Sequence, residues 1–224
     1  MIGKLLAFGA VTGTLLVGCG GGGGGPAATV GGVYISAGVS PMPAPSTSYS
    51  GVVSLNVDNP SGAPISNATV TINNVLLTYN SGLNYYGNTS IAPDGSGNFT
   101  LSVTANGTTI TATESPFSWT SNLTVQSPFT ANQKNAISWS PAAATLTGSS
   151  MNYDLRIDDS SNAIVYSTPP TSGTSIMVPP NTLVAGSYSA TIDTCQMGPQ
   201  IANAATGSNF TFSISATPHG FTAQ

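Results

Sequence analysis

The sequence predicts an all-β protein of two tandem β-sandwiches that follow a cleaved signal and a glycine-rich tether. Apolar residues form 40% of the 224-residue chain, and they alternate with Thr, Ser and Asn at the period of half-buried strands. Strand-forming Thr, Val, Ile and Tyr stand where helices would carry Lys and Glu. Clusters of Gly, Pro, Asn and Asp separate the alternating runs, as turns do. We therefore expect almost no helix beyond the signal.

The charge of the chain limits its partners. Only 4% of residues are charged and the formal net charge is −4. Nucleic acid is not expected as a partner, because its binding requires cations that neutralise phosphates.

The first residues have the pattern of a secretory signal. Lys4 precedes an apolar run from Leu5 to Val17, which is shorter than the ~20 residues of a membrane-spanning helix. We interpret residues 1–18 as a cleaved signal peptide.

The end of this segment, Leu16-Val17-Gly18-Cys19, resembles the lipobox of bacterial lipoproteins. The resemblance implies that Cys19 becomes the mature amino terminus and carries a diacylglyceryl group and an acyl chain such as palmitate. The membrane would then be one partner and the bacterial cell envelope the location. Gly20 instead of Asp after the cysteine resembles the default for sorting to the outer membrane in enterobacteria, with a periplasmic or surface-facing body.

Composition divides the remaining chain. Gly20 to Gly25 has no side chains to bury and is predicted to be a flexible tether. The Pro/Ser-rich approach that follows holds one apolar patch, Val33-Tyr34-Ile35, and its alternate prolines favour an extended or edge segment. The predicted boundaries are 1–18 for the signal, 19–48 for the lipidated cysteine, tether and approach, 49–120 for the first sandwich, 121–217 for the second, and 218–224 for a tail.

Two stretches of the first sandwich carry a family resemblance. Pro64 to Ile72 and Asp94 to Leu101 resemble carboxypeptidase-regulatory-like and bacterial immunoglobulin-like (Ig-like) modules, with Asn67 where glycine is usual. The resemblance implies an Ig-like sandwich that serves as a spacer or a binding scaffold. Farther on, Asn106-Gly107 joins two alternating runs, which is the strongest short-range signal for a hairpin.

The second half resembles a fibronectin type III domain. The likeness is carried by Trp139 before Pro141, by Tyr153 to Ile157, and by Leu183 to Tyr188. It implies that Trp139 is structural and that Tyr188 is a tyrosine corner, with a buried ring and a hydroxyl bonded to backbone a few residues upstream. Trp119, near the predicted boundary, is expected to pack between the domains.

The chain is predicted not to be an enzyme, because its sequence lacks the common catalytic motifs. His219 is the single histidine, Glu114 is the single glutamate, and no nucleophile elbow or phosphate-binding loop occurs. No cofactor is expected. With Cys19 lipidated, Cys195 is interpreted as a small apolar residue on a strand and not as half of a disulfide.

Two acidic turns are candidates for a metal site. Asp94 lies in the run Asp-Gly-Ser-Gly-Asn, and Asp158 and Asp159 precede Ser and Asn. Both lack the several carboxylates that Ca²⁺ collects, so a hairpin turn at Asp94 and a solvated turn at Asp158–Asp159 are favoured, with weak calcium sites as the alternative.

Tyrosines are the remaining candidates for ligand contact. Tyr85 and Tyr86 are adjacent, so in a strand they face opposite sides and one should be exposed; Tyr79 is close in sequence. The favoured function is a non-catalytic, membrane-anchored module for adhesion, envelope assembly or display. The alternative is a carbohydrate-binding accessory lipoprotein, so the partner, protein or glycan, stays open.

Overall fold

The computed structural model describes residues 32–42 and 47–224. The predicted signal, lipobox, Cys19 and tether lie outside the described residues. Within them the protein is all-β, and no helix is present that could span a membrane. The strands in chain order are β1 (Val33–Pro41), β2 (Tyr49–Val57), β3 (Thr69–Ile72), β4 (Val75–Leu76), β5 (Thr78–Asn80), β6 (Tyr85–Ile91), β7 (Phe99–Ala105), β8 (Thr108–Glu114), β9 (Thr124–Val125), β10 (Asn135–Ser138), β11 (Ser150–Asp159), β12 (Ile164–Ser167), β13 (Ser175–Val178), β14 (Gly186–Met197), β15 (Asn209–Ser215) and β16 (His219–Ala223).

The strands form two sandwiches that share one sheet. A nine-stranded sheet has the order β12-β11-β14-β15-β1-β2-β6-β5, and β16 pairs with the first half of β14. The sheet β4-β3-β7-β8 covers one half of it and encloses the first core; the sheet β13-β10-β9 covers the other half and encloses the second core. The protein is therefore a pair of Ig-like and fibronectin type III-like sandwiches joined through a common layer.

Alternation of apolar and polar residues builds the first core. Val53 and Leu55 of β2 are buried, as are Phe99 and Leu101 of β7, while their neighbours in sequence point away from the core. β7 and β8 form the predicted hairpin, and Asn106 (φ 50°) and Gly107 (φ 77°) take the left-handed conformations of its two-residue turn. The hairpin prediction is confirmed.

The segment expected to be an approach contains an interior strand. In β1 the side chains of Val33, Ile35 and Val39 are buried, and the strand pairs with β2 on one side and with β15 on the other. Proline did not prevent this, because Pro41 stands at the end of the strand. The first sandwich therefore begins at β1 and not at residue 49.

The loop after β14 and strand β15 belong to a different sandwich from the one that the predicted boundaries give them. β15 runs parallel to β1 and places Phe210 and Phe212 in the first core. Ile201 and Ala204 of the preceding loop are buried in the same core. Residues 198–212, assigned by sequence to the second sandwich, thus complete the first.

The predicted tail is a strand of the second sandwich. β16 pairs antiparallel with β14 from Gly186↔Ala223 to Ala190↔His219, and Ala223 is buried. The backbone N–H of Gln224 donates to the Phe129 carbonyl at 2.9 Å. Residues 218–224, predicted to be a tail, therefore contain the strand that completes the fibronectin-like sheet β12-β11-β14-β16.

Candidate functional site

Two of the three candidate tyrosines point into the first core. Tyr79 and Tyr86 are paired on β5 and β6, with ring centroids 5.0 Å apart. The hydroxyl of Tyr86 donates to the Ile65 carbonyl at 3.0 Å and accepts from the Ala68 N–H at 2.9 Å. Burial raises the pKa of Tyr86. These contacts make Tyr86 a structural residue that holds residues 65–68 against the sheet.

Tyr85 lies on the opposite, outer face of the nine-stranded sheet. It is half-buried, and its ring edge lies so close to Gly87 that a Cβ there would be 2.8 Å from Tyr85 Cε2. One tyrosine of the adjacent pair thus faces outward, although it is half-buried and not fully exposed. Tyr79, Tyr85 and Tyr86 do not share one surface, which removes the three-tyrosine ligand site as a candidate.

A different tyrosine shares the outer face with Tyr85. Tyr34 of β1 alternates with the buried Val33 and Ile35 and therefore points outward. Together with the half-buried residues around it, Tyr34 forms a surface that we call the outer patch. Its members are Tyr34, Ser36, Ser54, Tyr85 and Asn209. Tyr34 is not among the tyrosines predicted to contact a ligand, because the Val33-Tyr34-Ile35 patch was placed outside the first sandwich, although its residues alternate.

Charged side chains lie at the other end of the same sheet, on β11 and β14. Arg156 Nε is 3.1 Å from Asp158 Oδ2, and Arg156 Nη1 is 3.9 Å from Asp193 Oδ2. Ser215 Oγ donates to Asp193 Oδ1. Burial and the nearby Asp193 raise the pKa of Asp154 to about 6. Arg156 thus bridges two of the carboxylates.

The acidic turns use their oxygens internally. Asp94 Oδ1 accepts the N–H groups of Ser96 and Asn98 at 2.8 and 2.9 Å, in a turn that crosses from one sheet to the other and is not a hairpin. Asp159 Oδ1 accepts from Ser161 and Ala163, which lowers its pKa, and Asp158 is paired with Arg156. Among the described residues no group of three His, Cys, Asp or Glu side chains could hold a metal ion.

The aromatic residues of the second sandwich are structural. Trp139 is buried in the second core, 5.7 Å from the ring of Tyr153. The Tyr188 hydroxyl donates to the Val184 carbonyl, four residues upstream, at 3.0 Å. Its ring, however, is half-buried and packs on Phe221. The tyrosine that is fully buried here is Tyr153.

A buried polar cluster joins the two sandwiches. Glu114, at the end of β8, is 0% exposed, and Gln196 of β14 donates through Nε2 to Glu114 Oε1 and, at 3.0 Å, to the Ser115 carbonyl. Gln196 Oε1 accepts the Thr145 N–H at 2.6 Å. Glu114 Oε2 has no hydrogen-bond partner in the described structure. Burial raises the pKa of Glu114 to about 7, against the opposing effect of the Gln196 and Ser115 hydrogen bonds.

The cluster has an apolar neighbour at the same junction. Trp119 packs against both cores, as expected from its position near the predicted boundary, and its Nε1 donates to the Ser140 carbonyl at 2.8 Å.

A shallow cleft of about 190 Å³ lies along β8 and the loop that begins at Gly198. Sequence reasoning missed the role of Glu114, which stands at an inward position of β8, in line with Ile110 and Ala112.

The fold places the protein in the class of proteins built from Ig-like and fibronectin type III-like β-sandwiches. No protein-family model matches the chain, and no curated protein matches it. One solved structure that is similar is a crystal structure of titin domains, with 10% sequence identity and a TM-score of 0.27. The match covers 86% of this chain and 66% of the titin chain, just under two thirds of its length.

Proposed function

We propose that the chain is a non-catalytic lipoprotein of the bacterial cell envelope, anchored through Cys19 and used for adhesion, envelope assembly or display. The observation that carries the proposal is the lipobox Leu16-Val17-Gly18-Cys19, followed by six glycines. A lipid on Cys19 would hold the protein at the membrane, and the glycine run would let the folded body stand off from it.

The fold supports such a use. The two sandwiches share a nine-stranded sheet and are joined by the Glu114–Gln196 contact and by Trp119. Two domains on a flexible linker would reorient independently, whereas a shared sheet holds them as one body. A single folded body behind a glycine-rich segment is suited to presenting a surface at a distance from the membrane.

The anchor is tested by removing its thiol. In a bacterial host with lipoprotein processing, Cys19→Ala should abolish incorporation of labelled palmitate and move the protein from the membrane to the soluble fraction. Cys195→Ala is the matched control, because it removes the other cysteine and should leave labelling and fractionation unchanged. A Cys19→Ala protein that still fractionates with membranes would contradict the proposal.

The outer-membrane part of the proposal has a separate test. In an enterobacterial host, Gly20→Asp should shift the lipidated protein from the outer to the inner membrane, while palmitate labelling stays the same. Density-gradient separation of the two membranes measures the shift. If the wild-type protein is already found in the inner membrane, the anchor stands and the sorting assignment fails.

A further inference from the structure

Two outward tyrosines lie on neighbouring parts of the same face of the nine-stranded sheet. Ser36 pairs with Ser54, and Val53 pairs with Tyr86, so Ser54 lies beside Tyr85. Tyr34 is two residues from Ser36 on β1. Two strand spacings and two residues along a strand put the Cα atoms of Tyr34 and Tyr85 about 12 Å apart. A short oligosaccharide could span that distance.

Two glycines lie at outward positions next to the tyrosines, and one of them, Gly38, is buried. Val52 pairs with Gly87 on one side and with Gly38 on the other, so two of three adjacent outward positions on β6, β2 and β1 have no side chain. The ring of Tyr85 lies against Gly87, where a Cβ would clash with it. The absence of a side chain at Gly87 therefore lets the Tyr85 ring lie close to the sheet.

The chemistry of the patch selects a neutral ligand. The outward residues of β15, β1 and β2 are Ser, Thr, Asn, Gly, Val and Tyr. The Asp58 carboxylate lies against Gly32, just beyond the end of β1, and the other charged groups of this face, Asp154, Arg156, Asp158 and Asp193, lie farther along the sheet on β11 and β14. Tyrosine rings offer apolar faces and polar tips, and Ser and Asn side chains exchange hydrogen bonds with hydroxyls. We propose that the outer patch binds a neutral polysaccharide, with sugar rings stacked on Tyr34 and Tyr85.

Other macromolecular partners fit this patch less well. An acidic glycan or a nucleic acid would need cations, and Arg156, on β11, is engaged by Asp158 and Asp193. A protein partner would usually bury a larger apolar centre than this patch offers. The proposal concerns the sheet surface and is independent of the lipid on Cys19.

Binding is tested with the soluble chain from Gly20 onward, which keeps every described residue. The probes are insoluble cellulose, chitin and xylan in pull-down assays, with polygalacturonate as the acidic comparison. The wild-type chain should be retained by at least one neutral polysaccharide, and retention should not change between about 0.05 and 0.5 M salt, since a neutral ligand is not screened. Retention by polygalacturonate alone, or by none of the probes, would overturn the proposal.

The tyrosines are tested by substitution. Tyr85→Ala and Tyr34→Ala should each weaken binding about tenfold, the order expected for loss of one aromatic contact, and Tyr85→Phe should keep most of the affinity. Tyr166→Ala, at a half-buried tyrosine of β12, is the control that should bind normally. Thermal melting confirms that each variant is folded. Unchanged binding by the folded Tyr34→Ala, Tyr85→Ala double variant would place the glycan elsewhere and overturn the proposal.

Discussion

The two cores are assembled from the chain in different ways. The second core uses strands that follow one another from β9 to β14, with β16 added at the edge. The first core needs β1 and β15 side by side, although Ala37 and its partner Phe210 are 173 residues apart. Closing so long a loop costs chain entropy before any contact is made. The first sandwich therefore depends on the second half of the chain, whereas tandem modules would fold independently.

The strongest test of this comparison separates the halves. A fragment of residues 32–120 lacks Phe210, Phe212 and Ile201, which are buried in the first core. We expect this fragment not to fold, because it leaves β1 without one neighbour and the core without three large side chains. Circular dichroism and urea titration would show no cooperative transition.

The matched sample is the chain of residues 32–224, which should unfold cooperatively under the same conditions. A cooperative transition in the 32–120 fragment would show that the first sandwich is an independent domain, as the sequence-based boundaries imply. It would also show that β15 is dispensable.

A single side chain of β15 should show the same dependence to a smaller degree. The ring of Phe212 lies 6.0 Å from that of Phe99 and 5.5 Å from that of Phe117. Phe212→Ala should lower the free energy of unfolding by about 3 to 5 kcal/mol, from lost burial and from the cavity left behind. Urea denaturation measures the change. Phe221→Ala, at a half-buried ring of β16, should cost clearly less; equal losses would contradict a special role for β15.

This difference between the two cores explains which parts of the fold can be predicted from the sequence. The β7–β8 hairpin was predicted because Asn106-Gly107 acts locally. The place of β1 was not predicted. The alternation of Val33, Tyr34 and Ile35 is local, but nothing in the local sequence shows that this strand pairs with the distant β15. For the site, strict alternation shows that Tyr85 and Tyr86 face opposite sides, but not which one faces inward. The inward position of Tyr86 goes with its hydrogen bonds to the backbone of Ile65 and Ala68. These groups come within reach only after folding, so the sequence does not show that Tyr86 is the inward residue.

The junction between the cores should respond to pH. The pKa of Glu114 is raised to about 7, so the folded state holds a proton that the unfolded state releases at about pH 4.5. Stability is then highest below the unfolded pKa and falls as pH rises through 7. At 1.36 kcal/mol per pKa unit the loss is at most about 3 kcal/mol. Unfolding free energies at pH 5 and pH 8 measure it.

Glu114→Gln isolates this contribution, because a neutral amide can still accept the hydrogen bond from Gln196. The variant should lose most of the decline between about pH 4.5 and 7, which are the unfolded and folded pKa values of Glu114. Asp154, whose pKa is raised from 3.8 to about 6, adds a decline between those two pH values that overlaps the decline from Glu114, and Asp154→Asn should remove it. A Glu114→Gln protein with the wild-type pH dependence would show that the buried carboxyl group does not hold a proton in the folded state.

The smallest expected effect compares one tyrosine hydroxyl in each sandwich. Tyr86 bonds to the backbone of Ile65 and Ala68 from a 3% exposed position, whereas Tyr188 bonds to Val184 from a half-buried one. Tyr86→Phe leaves an N–H and a carbonyl without their partner in the interior and should cost about 1 to 3 kcal/mol. Tyr188→Phe should cost about 1 kcal/mol or less, since water can replace the lost bond at Val184. Urea denaturation of both variants decides the order. A larger loss for Tyr188→Phe would show that the tyrosine corner contributes more to stability than the Tyr86 anchor.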